Sequence, residues 1–459
     1  ISSNVGGIPD LIENGKNGYL FEPGDYKKFS ELLLELGNDK EKRIAMGEKL
    51  YEKAIKYFSV ESMAKTQEQI YLKILEKQAT VCSGQKLYDA IISGYYGFRN
   101  IGDDALLMSI IKDLKEFKPD IKLLVLSKIP AGTSRDYQVE SISRINLLRI
   151  YQAMKRSKSF IYGGGNLLQD NTSTRSLMFY LSTIWLAKKL NLKVMFYANG
   201  IGPLKKRLSR LLTRKIMNRV DVITLREELS FAELKNLDII KPKIQLTADA
   251  ALTVTDGFSP DESDILTYLG IKTERPLFGI SLRKYPGHEK FEHEKYETVI
   301  ARIADHVAEK FGAFPVFIPM QYPDDLPVLK NAADKMKNES YVVSQKLDVC
   351  QTYELISKMH MVLGMRLHAL VFSAVAAVPM VGLVYDPKIQ GFLNYINQPS
   401  AGDVRYLQYE SLEQMTEYVW NNRDELSRQL AADIPALKEK ARENAKIAVD
   451  LISSFSNGS

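Results

Sequence analysis

The chain has 459 residues, 45% of them hydrophobic and 26% charged, with a net charge of +6. This is the composition of an ordinary globular protein with room for about three domains. So mild a positive balance argues against a nucleic-acid binder, while it suits anionic small molecules or an anionic membrane surface.

The two cysteines, Cys82 and Cys350, are far apart, which speaks against a disulfide framework or a cysteine metal site and fits a reducing, cytoplasmic setting. No apolar run approaches the ~18–20 residues that span a bilayer. The sequence opens at Ile1 without a methionine or a signal-peptide pattern, as expected of a piece of a longer polypeptide.

Residues 1–80 stand apart. Asn4-Val5-Gly6-Gly7-Ile8-Pro9-Asp10-Leu11-Ile12 leads into Asn14-Gly15-Lys16-Asn17-Gly18-Tyr19-Leu20-Phe21, followed by helical periodicity over 26–37, 40–56 and 60–77. This stretch resembles the C-terminal end of a family 4 glycosyltransferase. The paired-glutamate donor motif of that family is missing, so the resemblance implies an inactive remnant.

After a polar break at 82–86, Leu87–Gly94 reads as a buried strand, and a turn containing Gly102, Asp103 and Asp104 leads into a helix over 104–117. Further strands are expected at 122–127, 159–162, 194–197 and 222–225. Strands alternating with helical patterns predict a doubly wound parallel sheet over 87–257. Glycine clusters fall at the strand ends, where such sheets bind ligands: Gly163-Gly164-Gly165-Asn166 and Gly200-Ile201-Gly202. Asp103 suits either a helix cap or a base toward a hydroxyl.

Residues 205–219 combine Lys205, Lys206, Arg207, Arg210, Arg214, Lys215 and Arg219 with an apolar stripe of Leu208, Leu211, Leu212, Ile216 and Val220. Such a helix can lie against anionic lipid or a pyrophosphate-linked acceptor, or simply pack with its basic face in solvent.

A linker over 256–265 precedes a second unit of the same kind, 266–455, with strands at 277–283, 315–320, 361–364 and 379–383 and helices throughout 411–455. The fold class is therefore α/β: two facing doubly wound Rossmann-like domains (GT-B architecture) preceded by an α/β fragment. His288 and His293 lie in a charged loop and read as solvated, and nothing in the pattern asks for a metal or another cofactor.

The most informative stretch is Gly364-Met365-Arg366-Leu367-His368, with Lys388 following in Tyr385-Asp386-Pro387-Lys388. A guanidinium, an imidazole and an ammonium at strand–helix junctions suit a small substrate with two or three negative charges. Arg226 and Arg283 end strands in the two domains, each an anion clamp or a surface ion pair.

These motifs, together with Leu167-Leu168-Gln169-Asp170, Thr247-Ala248-Asp249 and Pro319-Met320-Gln321, are similar in order to the bacterial polysaccharide pyruvyl transferases of the CsaB type over 87–400. Asn166, Asn199 and Ala250 depart from the commoner serine, glutamine and proline. The resemblance implies transfer of pyruvate from phosphoenolpyruvate to a sugar, commonly N-acetylmannosamine in a lipid-linked cell-wall precursor. The product is a 4,6-ketal of the kind that anchors surface-layer proteins.

On that basis Arg366, Lys388, Arg226 and Arg283 are expected to hold phosphoenolpyruvate. His368 is the candidate acid, or the group that protonates phosphate, and Asp103 the candidate base, with the sequence leaving the reverse assignment open; Gly164, Gly165, Asn166 and Gln321 are expected to meet the acceptor. The competing readings are a sugar-nucleotide glycosyltransferase and a non-catalytic scaffold for anionic glycans.

Overall fold

The run Tyr88-Asp89-Ala90-Ile91-Ile92-Ser93 is buried along its whole length, as a strand covered by helices on both faces must be. In the computed structural model such runs build two parallel sheets. The structure describes residues 1–5, 7–59, 62, 64, 68–69, 86–170, 174–256, 264–284 and 290–455, with backbone alone over 290–295. Gly6, Cys82, most of the expected 60–77 helix, His288 and the His293 side chain lie outside the described residues.

The chain divides into two compact units, 1–85 and 86–459. In the first, two short parallel strands, Ser2–Ser3 and Leu20–Phe21, accompany helices Ile8–Leu11, Tyr26–Asn38 and Lys40–Phe58. Asp25 and Asp39 cap the two longer helices through their side chains.

The second unit holds both large sheets. The first comprises β1 (Tyr88–Ser93), β2 (Leu123–Ser127), β3 (Glu140–Ser143), β4 (Ser157–Gly163), β5 (Lys193–Asn199), β6 (Val222–Leu225) and β7 (Lys243–Leu246), in the order β3-β2-β1-β4-β5-β6-β7. The second comprises β8 (Leu277–Ser281), β9 (Phe314–Phe317), β10 (Tyr341–Val342), β11 (Met361–Gly364), β12 (Met380–Val384) and β13 (Ser400–Asp403), in the order β10-β9-β8-β11-β12-β13. In both, the winding reverses at the centre, between β1 and β4 and between β8 and β11. Crevices for ligands open at such points, beyond the strands' carboxyl ends.

Four strands were not expected from sequence: β3, β7, β10 and β13. Each is an edge strand of two to four residues with half-buried or exposed positions, so none carries the apolar run that announces a central strand.

The helices used below are α1 (Ile101–Phe117), α2 (Thr174–Lys189), α3 (Arg207–Met217), α4 (Leu326–Ala333), α5 (Leu367–Val375), α6 (Pro387–Tyr395) and α7 (Arg423–Ser453). Among the described residues no helix is long and apolar enough to cross a membrane.

Among the contacts that join the domains, a main-chain seam and a returning helix stand out. The loop before α1 and the loop after β9 form a main-chain seam, with Ile101 N–H donating to Met320 O at 2.8 Å and Tyr322 N–H to Arg99 O at 3.2 Å. The sequence reading placed 266–455 in the second domain, but α7 crosses back onto the first. Its Ala441, Ala445 and Ala448 are fully buried in one core cluster with α1 residues and the short helix Ala250–Thr253. The small side chains permit that close approach. Asn444 accepts from Thr247 Oγ1 at 2.9 Å, and Asp256 pairs with Lys438 at 2.8 Å and Arg442 at 2.7 Å.

Ala445→Asp places an unpaired charge in this contact. It should lower the unfolding free energy by ~3 kcal/mol or more, read by urea denaturation. Unchanged stability would mean that α7 does not dock there.

Candidate active site

A cavity of about 410 Å³ lies at the two switch points, lined from both domains. Nine of the ten residues singled out in the sequence line it: Asp103, Gly165, Asn166, Arg226, Arg283, Gln321, Arg366, His368 and Lys388. Gly164 does not. Its N–H donates to Tyr197 O at 2.8 Å, and a Cβ there would meet Leu106 at 2.8 Å. It is the glycine that makes the turn, at φ 66°, while Gly165 fronts the cavity.

The cap of α1 also differs from one of the two expectations. The helix starts at Ile101, three residues before the expected start, and Asn100 caps it by accepting from Gly102 N–H at 3.1 Å. Asp103 is thereby released from capping and sits in the first turn, at the cavity floor. Burial, then the neighbouring Asp104, push its carboxyl up to about 7, against the pull of Lys388, Arg226 and Arg366.

His368 sits in the first turn of α5 and reaches across the cleft to α1. Gly102 makes room for it: a Cβ at that position would lie 2.0 Å from His368 Nδ1. Burial pulls the imidazole down to about 4 against the opposing pull of Asp249, and Arg226, Lys388 and Arg366 add to the fall. The positive end of α1 acts in the same direction. At neutral pH the ring is therefore neutral, and the 4.0 Å approach of its Nε2 to Asp249 is not an ion pair. That Nε2 is buried without a hydrogen-bond partner among the described residues. The sequence offered His368 as acid and Asp103 as base and left the reverse open; these environments favour the reverse.

The cations differ in how free they are. Arg366 is locked within its own domain: Nε donates to Asp325 Oδ2 at 3.0 Å, Nη2 to Asp325 Oδ1, and Nη2 also to Gln321 Oε1 at 3.1 Å. Gln321 is likewise engaged at its other end, with Asp324 at 2.8 Å. Arg226 is hydrogen-bonded through one nitrogen, Nη1 to Asp249 Oδ2 at 2.7 Å, while its buried Nε has no hydrogen-bond acceptor among the described residues and stands 3.8 Å from the Glu227 carboxylate, at ion-pair distance only. Lys388 Nζ stands 3.6 Å from Asp386 and 5.7 Å from the Tyr385 ring centre.

Tyr385 was quoted in the sequence only as part of a motif, without a role. It lines the cavity, its hydroxyl accepts from Arg283 Nη1 at 2.9 Å, and Arg283 also stacks on its ring at 4.7 Å. Burial raises the phenol, but Lys388, Arg283 and Arg366 together bring it below its ordinary value. Tyr95, Asn100, Leu167, Gln169, Ser176 and Tyr180 also line the cavity from the first domain. No spacing rule singles out Ser176 or Tyr180, because both sit in an otherwise ordinary helix.

Residues 100–387 match the family described as "Polysaccharide pyruvyl transferase", well over half of the chain and every residue that lines the cavity except Tyr95 and Lys388. The chain belongs to the polysaccharide pyruvyl transferase family. Residues 1–53 match "Glycosyl transferases group 1".

Over 418 residues the chain is 21% identical to the "Amylovoran biosynthesis protein AmsJ" of Erwinia amylovora, covering 80% of this chain and 99% of that protein. A stretch of 75 residues, 16% of the chain, is 36% identical to the "N-acetyl-alpha-D-glucosaminyl L-malate synthase" of Bacillus anthracis and covers 20% of it. In fold, the chain is similar to an S. aureus structure titled "MnaA-UDP co-structure", with TM-score 0.58 and 11% identity over 80% of this chain and 98% of that one. At that identity the likeness concerns architecture alone, and the architecture agrees with the GT-B expectation.

Gly102→Ala should test the imidazole's place. Alanine favours the helix by ~1 kcal/mol, so the fold is kept and the ring gives way. Pyruvyl-transfer turnover should fall at least ~tenfold with an undiminished melting temperature. Normal turnover would show that the ring's position is not critical.

Proposed function

We propose that this pyruvyl transferase takes pyruvate from phosphoenolpyruvate and builds a 4,6-ketal on a sugar, with release of phosphate. The proposed acceptor is an N-acetylmannosamine unit of a lipid-linked cell-wall precursor. The observation that carries the reading is the pairing, in one cation-lined cavity, of a carboxyl held protonated near neutral pH with an imidazole held neutral.

The chemistry needs that pair. The donor's methylene carbon must gain a proton to make C2 electrophilic, and Asp103 is our proposed source. A sugar hydroxyl then bonds to C2 and loses its proton to His368. The resulting imidazolium can return that proton to the departing phosphate as the C2–O bond breaks. The second hydroxyl closes the ketal and gives its proton to the Asp103 carboxylate, which restores the acid. Of the two hydroxyl protons one thus replaces the proton placed on the methylene carbon and the other leaves with phosphate, and no redox partner is needed.

The open edge of Arg226 and the Lys388 ammonium suit the donor's carboxylate and phosphate, with Arg283 and the Tyr385 hydroxyl beside them. Arg366 has its two-nitrogen edge committed to Asp325, so we assign it mainly to fixing the loop and the local field. Gly165 and Asn166 remain our candidates for acceptor contacts, and Gln321 for holding Arg366. A lipid-linked acceptor places the reaction at a membrane face, for which we propose the cytoplasmic side.

Phosphate release from phosphoenolpyruvate should depend on an aryl- or lipid-linked N-acetylmannosamine acceptor, with a mass gain of about 70 on the sugar (pyruvate less water). No release with any such acceptor, alongside thermal stabilisation by UDP and not by phosphoenolpyruvate, would favour a glycosyltransferase instead.

The pH dependence of kcat/KM gives a second check. His368 must be unprotonated, so the acid limb should fall near its value of about 4. Asp103 must be protonated, so activity should decline as pH rises through about 7. Asp103→Asn should be nearly inactive. An alkaline limb that Asp103→Glu leaves unmoved would assign the acid elsewhere.

A further inference from the structure

The positive charge of this chain is concentrated in one stretch. Residues 171–220 hold eleven of the 62 Lys and Arg and none of the 56 Asp and Glu, so the rest of the chain is net negative by five. Two helices in this stretch, α2 and α3, pack against one another.

A helix on a globular protein normally turns its leucines inward. The helix α3 does so only in part, with Leu212 and Ile216 packed against the first-domain core. It buries Ser209, Thr213 and Met217, and leaves Leu208 and Leu211 66% and 61% exposed. On α2, Met178 and Trp185 are exposed as well. Lys205, Lys206, Arg207, Arg214 and Lys215 stand in solvent around the leucines. Arg214 pairs with Asp238 at 3.4 Å, but among the described residues no carboxylate pairs with Arg207 or Lys215.

The same helices adjoin the reaction cavity. Ser176 and Tyr180, on another face of α2, line it. The segment entering α3 is tied to the cavity loop: Lys205 and Lys206 N–H donate to the Asp170 carboxylate at 2.8 and 2.9 Å, and Asn166 Nδ2 donates to Gly202 O at 2.6 Å.

We propose that the outer surface of α2 and α3 docks on an anionic lipid bilayer. Leu208 and Leu211 enter the boundary between headgroups and acyl chains, Trp185 lies at the interface, and the surrounding Lys and Arg meet lipid phosphates. Exposed leucines alone would serve a second copy of this chain equally well. A surface with this excess of positive charge repels its own copy and attracts a polyanionic plane, which selects the bilayer. The inference rests on reading the acceptor as lipid-linked, and it adds a route: the helix that meets the membrane is also a wall of the cavity.

The test is flotation of the full chain with vesicles of phosphatidylcholine alone or with about one third phosphatidylglycerol. Binding to the anionic vesicles should be at least tenfold tighter. Leu208→Ser with Leu211→Ser should weaken it at least tenfold, and Arg207→Glu with Lys215→Glu should remove it. Both double variants should keep the parent's melting temperature and its turnover on a soluble aryl-linked acceptor.

Absence of vesicle binding would overturn the proposal. So would binding that salt abolishes but the leucine changes leave intact, which is attraction to any polyanion. Leucine-dependent self-association in sedimentation velocity, without vesicle binding, would identify a contact between copies and also overturn it. Vesicle binding is read without turnover, so a failure of the ketal chemistry would not be mistaken for a failure of docking.

Discussion

Two main-chain hydrogen bonds, Ile101 to Met320 and Tyr322 to Arg99, are the constraint on which the site depends. They fix the start of α1 against the loop that carries Gln321 and leads to Asp325. Because Asp103 lies in the first turn of α1 and His368 in the first turn of α5, the seam sets the relation between two groups borne by different domains. Gly102 then sets how closely they approach, since any larger residue would occupy the imidazole's space.

Around that pair the cations form a graded field. Arg366 spends its planar edge on a buried carboxylate, Arg226 spends one nitrogen, and Lys388 stands near Asp386 at ion-pair distance only. Burial, with this fixed positive charge adding to it, keeps the imidazole neutral, and some donors are left for an incoming anion. The Asp103 carboxyl stays high despite that field because removal from water and the adjacent Asp104 outweigh it. Two titratable groups with their ordinary order inverted are a common sign of proton transfer in a cleft.

The sequence made much of this legible, and unevenly. Central strands announce themselves as apolar runs ending in glycine, so both sheets and the residues at their carboxyl ends could be read. Edge strands such as Glu140–Ser143 carry no such run. Arg366 looked free because its partner Asp325 lies forty-one residues earlier, in a loop where nothing local marks it. Gly164 and Gly165 are equivalent as letters, and only the turn decides which faces the ligand. The acid and base roles depend on burial and the summed field, which spacing does not record. Of the apolar stripe of α3, Leu212 and Ile216 pack inward while Leu208 and Leu211 point outward, because period reveals that a helix has two faces and not how much of each the core receives.

The seam is one tie between the domains, and α7 is another. Swinging them apart would break the backbone bonds, the Asp256 pairs and the packing of Ala441, Ala445 and Ala448 at once. The cavity is thus a standing chamber and not a jaw. Selection in such a chamber acts on shape at entry, with no closing motion to reward the correct substrate.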